Sequence, residues 1–160
     1  MIKIDKIKFT KEIKSIIKNL DDEISYYTNV DISWYDRYSD NSYIYLLKDD
    51  DKFVGYLYGA FITEKLYNSF INGEIINDYL IDKEEFVEKS NYIYLTSIVV
   101  KDEYRKKHYG SSLQEAFLKD NRGKKIVLLT VSMSGYTLAN KYFRLIRQID
   151  DKHNIFVNKN

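Results

Sequence analysis

The stretch that decides the fold is Tyr92-Ile93-Tyr94-Leu95-Thr96-Ser97-Ile98-Val99-Val100, then Lys101–Tyr104, then Arg105-Lys106-Lys107-His108-Tyr109-Gly110-Ser111-Ser112-Leu113. Its first nine residues are β-branched and aromatic and end in three aliphatic residues, which predicts a strand buried on both faces. Ser111–Lys119 then carries apolar residues at helical spacing. A strand, a basic turn and a helix in this order direct backbone N–H groups and the positive end of a helix dipole at one place. We therefore expect the turn to bind an anion.

The residues before residue 42 predict one strand and one helix. Met1–Phe9 alternates isoleucines with charged residues, which is typical of a short strand. Thr10 is a good N-cap for a helix whose apolar spacing runs through Leu20 and allows an extension to Ile24. Asp31–Asn41 is polar and aromatic, and it predicts a loop or a short helix.

A hairpin and a long acidic connection follow. The hairpin strands are Ser42–Lys48 and Phe53–Ile62, the second with two interior glycines that weaken it. Within Glu64–Ser90 the apolar spacing predicts a helix ended by Asn72-Gly73, and Phe86-Val87 suggests a second short helix. We interpret this connection as a helix pair that covers the sheet. Because long connections in compact domains are often functional, a lid is the alternative.

After the central stretch the chain repeats a strand and a helix. Lys125–Val131 predicts another doubly buried strand, and Tyr136–Ile146 a helix with apolar residues on one side. Strand, helix, strand and helix in this order imply parallel pairing of the two buried strands through a right-handed crossover. Ile149 and Ile155–Val157 leave room for one or two short final strands.

Composition limits the classes of function. The 160 residues fit one domain, and 25 basic against 24 acidic residues give a net charge of +1, which does not suggest a nucleic-acid partner. The chain has no cysteine and two histidines, so thiolate chemistry is excluded and a zinc site is not expected. The apolar runs are too short to span a bilayer. We expect a soluble cytoplasmic protein without a membrane or nucleic-acid partner, and a homodimer is left open.

The central turn resembles the acyl-CoA-binding segment of the GNAT superfamily of N-acetyltransferases. That segment reads Arg/Gln-x-x-Gly-x-Gly/Ala, five residues after an aliphatic strand end. Val100, Arg105 and Gly110 match these positions, whereas His108 stands at the first glycine. Histidine is one of the non-glycine residues that tolerate a positive φ. If the position needs only a donated backbone N–H, His108 supplies it; if the position needs the missing side chain of glycine, the affinity for the cofactor is lowered. The resemblance covers the chain from about Ser42 to Ile146.

The resemblance implies the fold and the cofactor site. The fold would be α/β (α+β), with a central mixed and mostly antiparallel sheet, one parallel strand pair splayed around the acyl-CoA site, and helices on both faces. Acetyl-CoA would be the cosubstrate, with no metal. The implied cofactor-binding residues are Ile98, Val99, Val100, Arg105, Lys106, Lys107, His108, Tyr109, Gly110, Ser111 and Asn140.

The catalytic residues follow from the resemblance with less precision. The family places a tyrosine four residues after an alanine, where it protonates the departing CoA thiolate; counting from Ala139 gives Phe143, and Tyr142 is the adjacent phenol. Tyr142 is our candidate for the general acid. For the general base we take Glu74, with Glu64 and the hydroxyls of Thr96 and Ser97 as alternatives that the sequence does not separate.

We expect an N-acetyltransferase in which a primary amine attacks acetyl-CoA directly in a ternary complex. A non-catalytic acyl-CoA-binding or regulatory module is the alternative, favoured by Phe143 at the tyrosine position, and a structural domain with a chance basic turn is a third. The amine acceptor, whether a small molecule or a peptide or protein, is left open. The charge is divided, with −4 over Glu64–Ser90 and +4 over Lys101–Lys125. We therefore expect a cationic amine, attracted by the acidic segment.

Overall fold

The computed structural model of this protein describes residues 1–23 and 43–159. The expected loop or short helix at residues 31–41 lies outside the described residues. The strands are β1 (Ile2–Lys8), β2 (Tyr43–Asp49), β3 (Lys52–Ile62), β4 (Tyr92–Val100), β5 (Lys125–Thr130), β6 (Phe143–Gln148) and β7 (Asn154–Asn158). The helices are α1 (Lys11–Asp22), α2 (Glu64–Ile71), α3 (Tyr109–Asp120) and α4 (Met133–Tyr142).

The described strands form one sheet of seven in the order β1-β2-β3-β4-β5-β7-β6. Neighbouring strands are antiparallel except for β4 and β5, which pair in parallel. Helix α3 connects these two strands, because parallel neighbours require a crossover and cannot be joined by a hairpin. The expected mixed, mostly antiparallel sheet with one parallel pair is therefore confirmed.

Helices cover both faces of the sheet, as expected, and each pair buries its own core. On one face α1 and α2 contribute Ile17 and Phe70, among other residues. On the other face α3 and α4 contribute Phe117 and Ala139. Phe117 packs where β3 has no side chain: a Cβ on Gly59 would lie 2.9 Å from its ring. The glycine that weakens the interior of β3 therefore makes room for α3.

Local capping explains where several helices begin and end. The hydroxyl of Thr10 accepts the backbone N–H of Ile13, as the sequence predicted for the start of α1. Thr63 and Ser132 cap α2 and α4 in the same way. Helix α2 stops at Ile71 and the chain turns at Gly73, whose φ is +74°. This is the glycine termination that the Asn72-Gly73 pair predicted.

Two predicted elements were wrong. Helix α4 begins at Met133 and ends at Tyr142, and Phe143 opens β6, so the predicted helix through Ile146 is too long. Pairing of β6 with β7 overrides the helical spacing of those residues. The predicted second helix at residues 86–87 is also absent: two short 3₁₀ turns occupy 78–80 and 83–85, and Phe86 forms a bridge to Ile62 of β3.

Candidate functional site

Strands β4 and β5 separate after three paired positions. Tyr92–Tyr94 pairs with Lys125–Val127. Beyond this point β5 continues along β7, and β4 continues along β3. Because β4 and β5 are no longer hydrogen-bonded to each other there, a gap opens between their carboxyl ends. Open sheets of this kind typically bind ligands in such a crevice.

A β-bulge marks the level at which the gap opens. Tyr58 of β3 is opposite Ser97 and the next residue, Gly59, is opposite Leu95, so Thr96 has no partner on β3. The hydroxyl of Thr96 donates instead to the carbonyl oxygen of Tyr58, at 3.0 Å. Bulges re-aim backbone and side-chain groups and are common beside active sites.

The end of β4 presents backbone groups to the gap. The N–H of Lys101 donates to the carbonyl of Val54 on β3, at 2.9 Å. Because successive peptide groups along a strand point to opposite sides, Val100 and Ile98 direct their backbone groups away from β3 and into the gap. Val99 is turned towards β3, where it is opposite Tyr56, and its side chain is buried in the core of α1 and α2.

The turn after β4 holds six consecutive backbone N–H groups without an acceptor. A 3₁₀ turn at Asp102–Tyr104 is followed by Lys106 with φ of 63° and His108 with φ of 64°. In the part of the chain that the structure describes, no acceptor is found for any N–H from Lys106 to Ser111. Left-handed residues of this kind turn successive N–H groups to one side, which forms an anion-binding concavity. His108 thus adopts the positive φ that histidine tolerates.

Helix α3 begins at Tyr109, directly after His108, rather than at Ser111. His108 occupies the N-cap position but makes no side-chain cap, so the first N–H groups of α3 are left for another partner. The positive end of the α3 dipole is at the same point. An oxygen-rich anion such as a pyrophosphate fits these donors.

The basic residues of the turn have different roles. Arg105 folds back: its Nε donates to the carbonyl of Val100 at 3.1 Å, and Nη1 lies 3.2 Å from Asp102. Lys106 and Lys107 are exposed. The guanidinium therefore fixes the shape of the turn, whereas the two lysines supply charge that is free to face a ligand.

Tyr104 anchors the turn to the hairpin. Its hydroxyl donates to Oδ2 of Asp49 at the end of β2, at 2.6 Å. This hydrogen bond is the main reason that the pKa of Tyr104 is raised to about 12, and it lowers the pKa of Asp49. The ring also lies 5.7 Å from Nζ of Lys107. The start of the turn is thereby fixed to β2.

The sequence model of the Acetyltransferase (GNAT) family matches residues 11–145, which include β4, the turn and α3. The chain belongs to the GNAT acetyltransferase family. The splayed parallel pair and the unpartnered N–H groups are thus features of a family member, and the resemblance seen in the turn is confirmed. No curated protein matches the chain in sequence.

Solved GNAT structures share the fold over nearly the whole chain. Arabidopsis thaliana NAA60 in complex with acetyl-CoA has a TM-score of 0.68 at 14% identity and covers 98% of this chain and 97% of its own. NAA60 in complex with a bisubstrate analogue has a TM-score of 0.63 at 13% identity, covering 98% of each chain. An acetyltransferase from Thermus thermophilus has a TM-score of 0.65 at 10% identity, covering 97% and 96%. Identities this low establish the fold alone.

Gly110 lies in the first turn of α3 and faces α4. A Cβ on Gly110 would lie 3.1 Å from Cδ2 of Leu138. The next residue, Ser111, is 8% exposed, and its hydroxyl accepts from Nζ of Lys141 at 3.4 Å. The missing side chain at Gly110 therefore allows α3 and α4 to approach, while its backbone N–H remains one of the six free N–H groups of the turn.

Tyr142, the candidate general acid, contacts the side of α3. Its hydroxyl donates to Oε1 of Glu115 at 2.5 Å, and this hydrogen bond is the main cause that raises the pKa of Tyr142. The side chain of Ser111 lowers the pKa of Tyr142 to a smaller degree. Phe143, at the family's tyrosine position, is 1% exposed and packs in the core.

Two predicted site residues have no described side-chain contact with the turn. Asn140 is exposed on α4, and it follows Leu138 by two residues, so it points away from α3. Glu74 is exposed just beyond α2. Arg147 donates from Nε to the carbonyl of Ile71 at 3.0 Å, so the end of α2 lies beside β6. Glu74 is therefore at the carboxyl-end side of the sheet, on the face opposite α3.

Sequence reasoning missed a buried polar chain on the α1 and α2 face. The hydroxyl of Tyr56 donates to Oδ1 of Asp21 at 2.7 Å, and Ser97 donates to the oxygen of Tyr56 at 3.3 Å. On the same face Tyr94 donates to Asp78 at 2.9 Å. Asp21 follows Ile13 and Ile17 at helical spacing, so a carboxylate on the apolar side of α1 was the available signal.

No metal is implicated by the described residues, in which no three histidine, cysteine or acidic side chains are grouped to hold an ion. Among the helices of residues 1–23 and 43–159, none is long and apolar enough to cross a membrane.

Proposed function

We propose that this chain is an acetyl-CoA-dependent N-acetyltransferase, acting as one domain over residues 1–160, that transfers the acetyl group to a primary amine. The observation that carries the proposal is the row of six free backbone N–H groups from Lys106 to Ser111, beside a strand that has lost its neighbour. Family membership and a fold shared with NAA60, which was solved with acetyl-CoA, support it.

The residues present fit the cosubstrate. In the proposal the N–H groups of Lys106–Ser111 hold the pyrophosphate, and Lys106 and Lys107 add charge. The backbone groups of Ile98 and the backbone N–H of Val100 face the gap and bind the extended arm. Acetyl-CoA would supply an activated thioester; a donor from the gap-facing backbone of β4 would stabilise the oxyanion that forms on its carbonyl. Arg105 keeps the turn in shape through its bond to Val100.

Direct transfer suits this chain because it has no cysteine to form an acyl-enzyme by thiolate attack. The amine must lose a proton, for which Glu74 and the hydroxyls near the bulge are candidates, and the thiolate must gain one. Tyr142 is proposed as the donor. A phenol carries its proton at neutral pH, and the hydrogen bond to Glu115 raises the pKa of Tyr142 further above its ordinary value of 10.

A second candidate function is a non-catalytic acyl-CoA-binding module. The observation favouring it is Phe143, which occupies the family's tyrosine position and is buried without a proton to donate. In this case the turn would bind acyl-CoA and no transfer would follow.

The experiment that separates these functions uses the whole chain. Isothermal titration with CoA measures binding, and mass spectrometry after incubation with acetyl-CoA and a mixed amine library detects an added acetyl group. An N-acetyltransferase gives binding and acetylated product. The binding module gives binding without product, and absence of both rejects the cofactor site.

A further inference from the structure

The hydrogen-bonded chain Ser97–Tyr56–Asp21 crosses from the edge of the gap into the core. Asp21 is 3% exposed and Tyr56 is 2% exposed. Buried carboxylates are rare unless they are paired or hydrogen-bonded, because burial disfavours the charged form. The three residues lie far apart in sequence, on α1, β3 and β4, so the hydrogen bonds between them form only in the folded protein.

The direction of the chain is fixed by chemistry. An ionised carboxylate only accepts hydrogen bonds, so the hydroxyl of Tyr56 donates to Asp21. The oxygen of Tyr56 then accepts, and the hydroxyl of Ser97 donates to it. Because the hydroxyl proton of Ser97 is donated to Tyr56, the lone pairs of the Ser97 oxygen can accept a hydrogen bond from another group.

The location of Ser97 gives this acceptor a use. Ser97 follows Thr96, the bulged residue, and precedes Ile98, whose backbone faces the gap. Its hydroxyl contacts that of Tyr56, which is buried in the core of α1 and α2, so the Ser97 side chain lies on the face opposite α3 and the free N–H groups of the turn. A cosubstrate held from the α3 side would thus leave the α1 and α2 face for the amine.

We propose that Ser97 accepts an N–H of the amine substrate, and that Tyr56 and Asp21 position the Ser97 hydroxyl and carry away the proton that the nitrogen loses. This inference rests on the proposed function. Ser97 is the catalytic residue, because it touches the substrate; Tyr56 and Asp21 are positioning residues, because they act through it.

The transfer balances along the chain. The substrate arrives as an ammonium, and one of its protons passes to Oγ of Ser97 as the Ser97 proton passes to Tyr56 and the Tyr56 proton passes to the carboxylate of Asp21. The neutral nitrogen then forms a bond to the acetyl carbon, the carbon–sulfur bond of the thioester breaks, and the second nitrogen proton is released to water. The thiolate takes a proton from the general acid or from water, and Asp21 later returns its proton to solvent.

Other titratable groups bear on the pH test of this proposal. Tyr79, from the segment after α2, interacts electrostatically with both Asp21 and Asp78. Beyond the end of α1, Glu23 forms a salt bridge of 3.0 Å with Nζ of Lys101. The variants below therefore change one uncharged hydroxyl at a time and leave these charges in place.

The test compares Ser97→Ala, Ser97→Thr and Tyr56→Phe with the wild-type enzyme, using an amine that the library experiment identifies. Ser97→Ala and Tyr56→Phe are expected to lower kcat/KM for the amine at least tenfold at neutral pH, with the Kd of CoA unchanged. Ser97→Thr keeps a hydroxyl and is expected to retain most activity. Tyr45→Phe is the matched control: Tyr45 is 3% exposed and donates to Asp120 at 2.8 Å, on the opposite face.

The pH profile separates proton transfer from a structural defect. As the pH approaches the pKa of the free amine, a larger share of the substrate is already neutral and no longer needs to give its proton to Ser97. The difference in kcat/KM between the wild type and Ser97→Ala or Tyr56→Phe is therefore expected to become smaller. A deficit that is constant at every pH, or shared by Tyr45→Phe, overturns the inference. Wild-type activity in both variants also overturns it while the proposed function stands. If the wild-type chain acetylates no amine, the proposed function is rejected and this inference with it.

Discussion

The side chain of Leu138 on α4 borders the space that a side chain on Gly110 of α3 would need: a Cβ added to Gly110 would lie 3.1 Å from Cδ2 and 3.3 Å from Cδ1 of Leu138. A glycine in an acyl-CoA turn is readily interpreted as space for the ligand. Here its missing side chain is directed at the neighbouring helix. The glycine therefore couples the cofactor turn to the packing of α4.

A mutant cycle tests this coupling. Gly110→Ala is expected to destabilise the fold by about 1 kcal/mol, because the tight contact outweighs the gain in helix propensity. With Leu138→Ala in place the contact is gone, and the same change is expected to stabilise by up to about 1 kcal/mol. Urea unfolding of the four proteins measures both values. Equal effects of Gly110→Ala in the two backgrounds would contradict the coupling.

The left-handed conformation of His108 gives a prediction for CoA binding. His108→Val is expected to weaken CoA binding more than tenfold, because a β-branched residue adopts φ of about 64° at high cost and the N–H groups lose their alignment. His108→Gly is expected to bind at least as well as the wild type. Isothermal titration with CoA measures the Kd of each.

Gly123 provides the matched control for His108. It has φ of +82° in the turn after α3, where an added Cβ meets nothing within 4 Å. Gly123→Ala is therefore expected to strain the backbone at the far end of α3 and to leave the Kd of CoA unchanged. A similar loss of affinity in Gly123→Ala would show that general destabilisation, not the alignment of N–H groups, explains the His108 result.

The central part of the fold could be predicted because it is local. The aliphatic run of β4, the basic turn and the amphipathic α3 are contiguous in sequence, and each has a clear period. The boundary between α4 and β6 could not be predicted, because α4 ends at Tyr142 and β6 begins at the next residue, Phe143, without a glycine or proline to mark the change. Pairing of β6 with β7, including Phe143 opposite Asn158, decides it. Tertiary contacts of this kind override local spacing.

The turn proposed to bind the cofactor was easier to identify from the sequence than the groups proposed to contact the amine. Free backbone N–H groups at a helix start are a property of one contiguous stretch, so residues 105–111 could be proposed from the sequence alone. The hydrogen bonds from Ser97 to Tyr56 and from Tyr56 to Asp21 join three elements, so no local sequence pattern predicts them. Only the position of Asp21 on the apolar side of α1 pointed to a buried carboxylate.

Tyr142→Phe tests the proposed general acid. Loss of a proton donor to the leaving thiolate is expected to lower kcat by about 10²–10⁴-fold without changing the Kd of acetyl-CoA. Glu115→Gln is the companion variant. It removes the carboxylate that raises the pKa of Tyr142, and it is expected to keep most activity because the phenol remains. Wild-type kcat in folded Tyr142→Phe would assign the proton to water or another group.

The hydrogen bond from Tyr104 to Asp49 predicts a dependence of stability on pH. The lowered pKa of Asp49 means that its contribution is present above the ordinary value of 3.8 and lost as the pH falls through the folded-state pKa. The raised pKa of Tyr104 means that its contribution is present below the ordinary value of 10 and lost as the pH rises towards about 12. The bond is thus stabilising between these limits.

Urea unfolding across a pH series measures this contribution as the difference between the wild type and Tyr104→Phe. The difference is expected to be largest at neutral pH and to vanish near pH 12 and at the acid end. Tyr43→Phe serves as the control, since Tyr43 is 43% exposed at the start of β2. A difference that is the same at every pH would mean that Tyr104 contributes by packing alone.

The acidic segment after α2 carries the last prediction, that it attracts a cationic amine. Helix α2 packs on the face opposite α3, so the acids of residues 64–90 and the bases of the cofactor turn belong to different faces of the sheet. Glu74, Asp82 and Glu84 are exposed. Asp78 is not suitable for the test, because it accepts the hydroxyl of Tyr94 at 2.9 Å. The triple variant Glu74→Gln, Asp82→Asn, Glu84→Gln therefore removes charge without breaking that bond.

If the segment steers the amine, the triple variant is expected to lower kcat/KM about tenfold at low ionic strength and to approach the wild type at high salt, where charges beyond about 8–10 Å are screened. Neutralising three exposed acids elsewhere, Glu12, Asp51 and Asp151, gives a control with the same change in net charge. Steering requires the first variant to respond to salt more strongly than the second. If kcat/KM of both variants responds equally to salt, the net charge of the protein is the cause. If the triple variant loses no activity at low salt, these carboxylates are merely solvated surface groups. Recognition of the amine would then rest on the buried groups of β3, β4 and α1.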